Sequence, residues 1–88
     1  MNKDRRKEIA AIVDKLDALQ DLVNEVKDAI ENVRDEEQEY YDNMPESFQQ
    51  SDRGYTAEQA ASDLDEASSM LDDLDIDTLR GYLESASE

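Results

Sequence analysis

Several residue types are absent or scarce in this 88-residue chain, and each gap excludes a kind of chemistry. Cysteine is absent, which excludes disulfides and thiolate sites. Histidine is absent too, so both the usual general base and the commonest metal ligand are missing. Carboxylates are plentiful, but two or three packed helices provide no desolvated cleft for catalysis. We therefore expect neither an enzyme nor a protein that binds a cofactor.

The chain also lacks long apolar runs. None approaches the length of a membrane span. The N-terminal residues MNKDRRKEIAAIV carry charges and no uninterrupted apolar segment, so a signal peptide is not expected. A cytoplasmic protein with no membrane contacts is the expectation. Eighty-eight residues make at most one small domain, which is marginally stable unless its helices pack well or the chain oligomerises.

Negative charge is abundant, and it lies on one side of the sequence. Residues 1–34 carry seven Lys/Arg against eight Asp/Glu, whereas residues 35–88 carry two against seventeen. The net charge is −16. Such a field repels nucleic acids and anionic membranes, and it attracts basic protein surfaces. We therefore expect no nucleic-acid partner, and a basic host protein becomes a candidate partner.

Apolar residues in the first half recur at alternating spacings of three and four, which predicts a heptad helix over residues 4–42. The stripe consists of Ile9, Ile12, Leu16, Leu19, Val23, Val26, Ile30 and Val33. Val13 and Leu22 flank it, and Tyr40 and Met44 continue it after a break at Glu37. All of these apolar side chains are interpreted as core.

A loop is predicted over residues 43–56, because Pro45 bars simple continuation of the helix. Pro45 could also open a short helical turn as its first residue. Four of the five aromatic residues lie in or beside this loop: Tyr40, Tyr41, Phe48 and Tyr55. They are interpreted either as a hydrophobic plug or as a contact surface for another protein.

A second heptad helix is predicted over residues 57–75, with Thr56 and Gln59 forming a capping box at its start. Its apolar positions are Ala57, Ala60, Leu64, Ala67, Leu71 and Leu74. The phase then slips, which predicts either a kink near residues 75–78 or a short helix over 78–86 capped by Asp77.

The predicted fold class is all-α: an antiparallel helical hairpin that self-associates into a bundle. Counting back from the loop, the second helix reaches only to about Asp14. Ile9, Ile12 and Val13 are then left without an intramolecular partner, so they are the candidate surface for a second copy, as a homodimer, or for another protein. The basic cluster formed by residues 3–7 is expected to pair with the acidic half of another copy.

The run from Asp35 to Glu39 places four acids near the end of the first helix. A helix C-terminus carries partial negative charge, so acids are unfavourable there. A chain that keeps such repulsion could use it, or the charge could serve only solubility. This run opens the strongly acidic half of the chain.

A weak metal-site candidate lies in the sequence DLDIDTLRGYLE. Its acids stand at positions 1, 3, 5 and 12 of an EF-hand-like loop, namely Asp73, Asp75, Asp77 and Glu84. Thr78 occupies the position that requires Gly, and the apolar stripe of a helix runs through the segment. A solvated acidic face or a helix cap is therefore the preferred interpretation, and no metal is expected.

The segment EEQEYYDNMPESFQQSDRG, residues 36–54, resembles a loop in small uncharacterised proteins of phages and mobile elements. Their pattern is roughly D-N-x-P-E-x-(L/F)-Q-x-S-(D/E)-R, and this chain departs from it slightly at Ser47 and Phe48. The resemblance implies a helical hairpin of phage-type origin and implies no activity. It also implies that five residues matter for shape or contact: Asn43, Pro45, Gln49, Ser51 and Arg53.

Two functions remain open. The first is a structural or adaptor module built from a homodimeric bundle. The second is an acidic inhibitor that imitates DNA and occupies the basic groove of a host nuclease or other DNA-binding protein. The candidate partner-binding acids for the second function are Asp35, Glu36, Glu39, Asp63, Asp65, Glu66, Asp72 and Asp73.

Overall fold

A computed structural model describes all 88 residues, and the chain is all-helical. Four helices follow one another: α1 (Lys3–Asp42), α2 (Glu46–Gln49), α3 (Asp52–Asp72) and α4 (Ile76–Ala86). The absence of Gly and Pro from residues 3–42 explains why α1 runs for 40 residues without a break. None of the helices combines the length and apolarity that crossing a membrane requires.

The predicted loop over residues 43–56 is wrong, because most of it is helical. Pro45 precedes α2, and its carbonyl oxygen accepts from the amides of Phe48 and Gln49 at 2.9 and 3.1 Å. A short helix therefore does follow Pro45, but Pro45 is its N-cap, in non-helical backbone, and Glu46 is its first residue. A proline fits at a helix start because its missing N–H is not needed there.

The predicted capping box at Thr56 is also wrong, because α3 begins four residues earlier, at Asp52. Ser51 holds the N-cap position in extended backbone, with no side-chain bond to the helix. Asp52 lies in the first turn, where the helix dipole favours an acid. Gly54, which the predicted loop contained, is buried inside α3. A Cβ there would lie 2.5 Å from the carbonyl oxygen of Phe48, so glycine permits α2 and α3 to pack closely.

The break after α3 resolves the choice between a kink and a separate helix in favour of a separate helix. The second helix ends at Asp72 rather than at residue 75, and α4 begins at Ile76 rather than at residue 78. Asp75, not Asp77, is the cap: its carboxylate accepts from the Thr78 amide at 3.0 Å and from the Thr78 hydroxyl at 2.8 Å. These bonds satisfy an amide that the first helical turn would leave unpaired.

The chain packs into two compact units, which we describe separately. The terminal unit comprises Met1–Glu25 and Leu74–Glu88, and the central unit comprises Val26–Asp73. Only four apolar residues are buried: Leu16, Ala57, Ala61 and Ile76. Two of these four are alanines, so the apolar core is thin for a chain of this length.

Candidate interaction surface

The packed face of α1 differs by one residue from the face that the heptad pattern predicted. One column of the predicted stripe is less exposed, as expected, and consists of Ile9, Leu16, Val23 and Ile30. The other column is exposed, and its place is taken by the following residues, Val13, Gln20, Lys27 and Arg34. Neighbouring residues lie about 100° apart around a helix, so this substitution rotates the packed face substantially.

Charged side chains explain the rotation in the central unit. Lys27 of α1 forms an ion pair with Asp72 of α3, and Arg34 pairs with Asp65 at 2.8 Å. The Ser68 hydroxyl donates to Glu31 at 3.2 Å between these two pairs. As the residue numbers of the partners rise along α1, those of their partners on α3 fall, so the two helices run antiparallel. Polar contacts therefore occupy part of the face that the sequence pattern assigned to apolar residues.

Both cations in these pairs are stabilised in their charged form. The hydrogen bond to Asp72 raises the pKa of Lys27, although partial burial opposes this. The hydrogen bonds to Asp65 and then Asp35 raise the pKa of Arg34. Because these pairs are largely exposed to solvent, they contribute more to orientation than to stability.

The candidate partner-binding acids therefore fall into two groups: some contact other residues of the chain, and the others are free. Asp35, Asp65 and Asp72 are engaged in ion pairs within the chain. Asp63 accepts a hydrogen bond from Gln59 at 3.0 Å. The remaining candidates form no ion pair and are exposed: Glu36, Glu39, Glu66 and Asp73.

The displaced column leaves an apolar surface on α1, which we call the exposed stripe: Ile12, Leu19, Leu22, Val26, Val33 and Tyr40. The exposed fraction of each of these side chains is between 45% and 56%. Five of the six are spaced seven residues apart, so they fall on one side of a helix. The sequence interpretation named Ile12 and Tyr40 as candidate contact residues, but it assigned the other four residues of the stripe to the core.

In the terminal unit, α4 lies beside part of the predicted dimer surface. A groove of about 300 Å³ lies between α1 and α4, and its lining includes Ile9 and Val13 from α1, Glu84 from α4, and Ser87, which follows α4. Ile9 and Val13 therefore do have an intramolecular neighbour, contrary to the prediction. The ion pair between Asp17 and Arg80 brings α4 alongside this part of α1. Of the three predicted residues, only Ile12 is exposed.

The aromatic residues near α2 are divided in the same way. Tyr41 is half-buried, and its carbonyl oxygen accepts from the Gln49 side chain at 3.0 Å. Tyr40, Phe48 and Tyr55 are exposed. A cavity of about 280 Å³ is lined by Tyr40, Asn43, Met44, Pro45, Phe48 and Arg53. The exposed stripe thus ends beside a concave aromatic surface in the central unit.

The five residues singled out by the phage resemblance lie at or near the connections between α1, α2 and α3. Pro45 is the N-cap residue of α2, and the Gln49 side chain of α2 donates a hydrogen bond to the Tyr41 carbonyl oxygen near the end of α1. Ser51 caps α3, and its hydroxyl donates to the Phe48 carbonyl oxygen at 2.5 Å. Asn43 and Arg53 line the cavity beside Tyr40. Three of the five thus hold the α1–α2–α3 connection.

The EF-hand-like acids are not brought together. Asp75 caps α4 and uses both carboxylate oxygens to bind Thr78, which lowers its pKa, chiefly through the hydroxyl bond. Asp77 and Glu84 lie on α4 itself. No group of three or more potential metal-binding side chains occurs in the structure. The sequence spacing therefore has a local explanation as a helix cap.

No protein-family model, curated protein or solved structure matches this chain. The resemblance to phage proteins therefore stays a prediction.

Proposed function

We propose that this chain is a non-enzymatic, helical assembly module that forms a homodimer through the exposed stripe of α1. In this proposal the chain is an antiparallel helical hairpin of phage or mobile-element origin that acts in the cytoplasm of the host. The opposite progression of the α1 and α3 partners supports the hairpin. The exposed stripe is the observation that carries the proposed function.

The thin core supports a partner. Small single domains usually require an additional source of stability, such as a disulfide, a metal or oligomerisation. Disulfides are excluded by the absence of cysteine. The stripe is aliphatic, with one tyrosine at its end, which is the composition of helix–helix interfaces in bundles. We therefore propose that oligomerisation through this surface provides the additional stability.

Sedimentation equilibrium tests the proposal on a double variant, Leu19→Glu with Val26→Glu. The matched control is Met70→Glu with Leu79→Glu, which adds the same charge at two exposed apolar residues outside the stripe. We expect the stripe variant to be a monomer and the control to be a dimer like the wild type. Equal masses for both variants would contradict the proposal.

The second candidate function is the acidic inhibitor of a DNA-binding protein. The exposed acids without ion pairs, Glu36, Glu39, Glu66 and Asp73, favour it. The engagement of Asp35, Asp65 and Asp72 within the chain reduces the charge available for such a partner. Capture of a DNA-binding protein from host lysate at low salt, with release at high salt, supports this function. Recovery of none would count against it.

A further inference from the structure

The two ends of α1 carry opposite net charges, and Asp35, which pairs with Arg34, is the one residue of either end that forms an ion pair within the chain. Near the N-terminus, the basic segment consists of Lys3, Arg5, Arg6 and Lys7. None of these cations forms an ion pair, because all five ion pairs involve Lys27, Arg34 or Arg80. At the other end, the last turn of α1 contains no basic residue. We call residues 35–42 of α1 the acidic segment; it includes Asp35, Glu36, Glu37, Glu39 and Asp42.

Both ends have the sign that the helix dipole disfavours. The N-terminus of a helix is partially positive and the C-terminus partially negative, so cations at the first and acids at the second are unfavourable. A second helix that runs the other way provides the missing countercharge at both ends at once. A second helix that runs the same way places like charges side by side.

We infer that the two copies associate through α1 in an antiparallel orientation. This inference rests on the proposed function, and it names the geometry of the partner. The apolar residues of the exposed stripe then lie between the two α1 helices. The basic segment of each copy lies against the acidic segment of the other.

Charge pairs of this type determine orientation more than affinity. In helical pairs, flanking charges select parallel or antiparallel packing, while the apolar residues provide most of the free energy. The basic segment is therefore an orientation determinant of the dimer. Its removal is expected to leave the fold of the single chain unchanged, since no contact within the chain depends on its charges.

Spin labels on single-cysteine variants test the orientation, because the chain contains no other cysteine. Ala11 and Ala18 are exposed, lie seven residues apart on α1 and are outside the stripe. In an antiparallel dimer, moving the label from Ala18→Cys to Ala11→Cys increases the axial separation by about 21 Å, because each copy contributes seven residues of about 1.5 Å. With the lateral offset of the helices, the measured distance is expected to grow by roughly 15–20 Å.

The alternative outcomes separate this inference from the proposed function. A dimer in which both labels give the same short distance is parallel, and it overturns the inference while the assembly function stands. A monomer gives no distance between labels, and it overturns the proposed function and the inference together. Sedimentation equilibrium on the same labelled samples distinguishes these two cases.

A charge exchange tests the role of the basic segment. The variant Arg5→Glu with Arg6→Glu is expected to dimerise about tenfold or more weakly at low salt, since attractive pairs become repulsive at both ends of the interface. Adding Glu36→Arg and Glu39→Arg to the same chain is expected to restore dimerisation. Failure of the fourfold variant to recover, with helix content unchanged by circular dichroism, would overturn the role of these charges.

Discussion

Leu16 and Leu19 provide a direct comparison, because the sequence pattern treats them alike and the structure does not. Leu16 is 9% exposed, whereas Leu19 is 46% exposed. A buried Leu→Ala change costs about 2–5 kcal/mol, and we expect about 2–3 kcal/mol for Leu16→Ala because its half-exposed surroundings can relax. For a small domain whose core supplies roughly 3–5 kcal/mol, that loss is about half of the stability.

Leu19→Ala is expected to act mainly on the dimer. Full burial of a leucine gains roughly 1.5–3 kcal/mol, so a half-exposed leucine gains about 0.7–1.5 kcal/mol when a second copy covers it. The contact occurs twice in a symmetric dimer, which gives about 1.5–3 kcal/mol, or roughly a 10- to 150-fold weaker dimer. The cost to the isolated chain is about 0.7–1.5 kcal/mol by the same reasoning, since only the buried half of the side chain is lost.

Urea unfolding followed by helical ellipticity at two protein concentrations tenfold apart separates these effects. The shift of the midpoint in Leu16→Ala is expected to be similar at both concentrations. In Leu19→Ala the shift relative to wild type is expected to increase with concentration, because binding between native chains adds stability by mass action. If Leu19→Ala is as damaging as Leu16→Ala at the lower concentration, the assignment of the packed face is wrong.

Three further predictions follow from local contacts. Gly54→Ala is expected to cost about 1–3 kcal/mol in urea unfolding, because its Cβ meets the Phe48 carbonyl. Gly81→Ala is the control and is expected to stabilise by about 0.4–1 kcal/mol, because nothing lies near its Cβ. An equal loss in both would contradict the close packing of α2 on α3. Asp75 has a lowered pKa, so its stabilising effect is present above its unfolded pKa of about 3.9 and is lost as the pH falls through the folded pKa. The stability difference between wild type and Asp75→Ala is therefore expected to shrink below about pH 4, and a constant difference down to pH 2 would refute the cap.

The sequence was sufficient to predict helices but not the face on which they pack. The alternation of spacings three and four predicted α1 to within one residue at its start. Ile12 and Val13 are adjacent, so either can complete a heptad with Ile9 and Leu16. Hydrophobicity alone does not choose between them. The choice depends on Lys27 and Arg34, which contact acids in a helix that lies far away in the sequence.

A signal for this choice was nevertheless present. Lys27 and Arg34 are seven residues apart, and so are their partners Asp65 and Asp72. Matching periods of opposite charge on two helices indicate a shared face, and this pattern could have identified the exposed stripe. By contrast, the bounds of α2 could not be predicted, because four residues are too few to show a helical periodicity. The role of Gly54 depends on backbone contacts between two helices.

The central claim is that the exposed stripe of α1 binds a second copy of the chain. Sedimentation equilibrium of the wild type between about 10 μM and 1 mM tests it most directly, since these concentrations span the affinities expected of a modest interface. The account predicts a mass that rises to twice the 10.1 kDa of one chain and returns to the single mass in the Leu19→Glu, Val26→Glu variant. A wild-type mass that stays at 10.1 kDa throughout would contradict the claim.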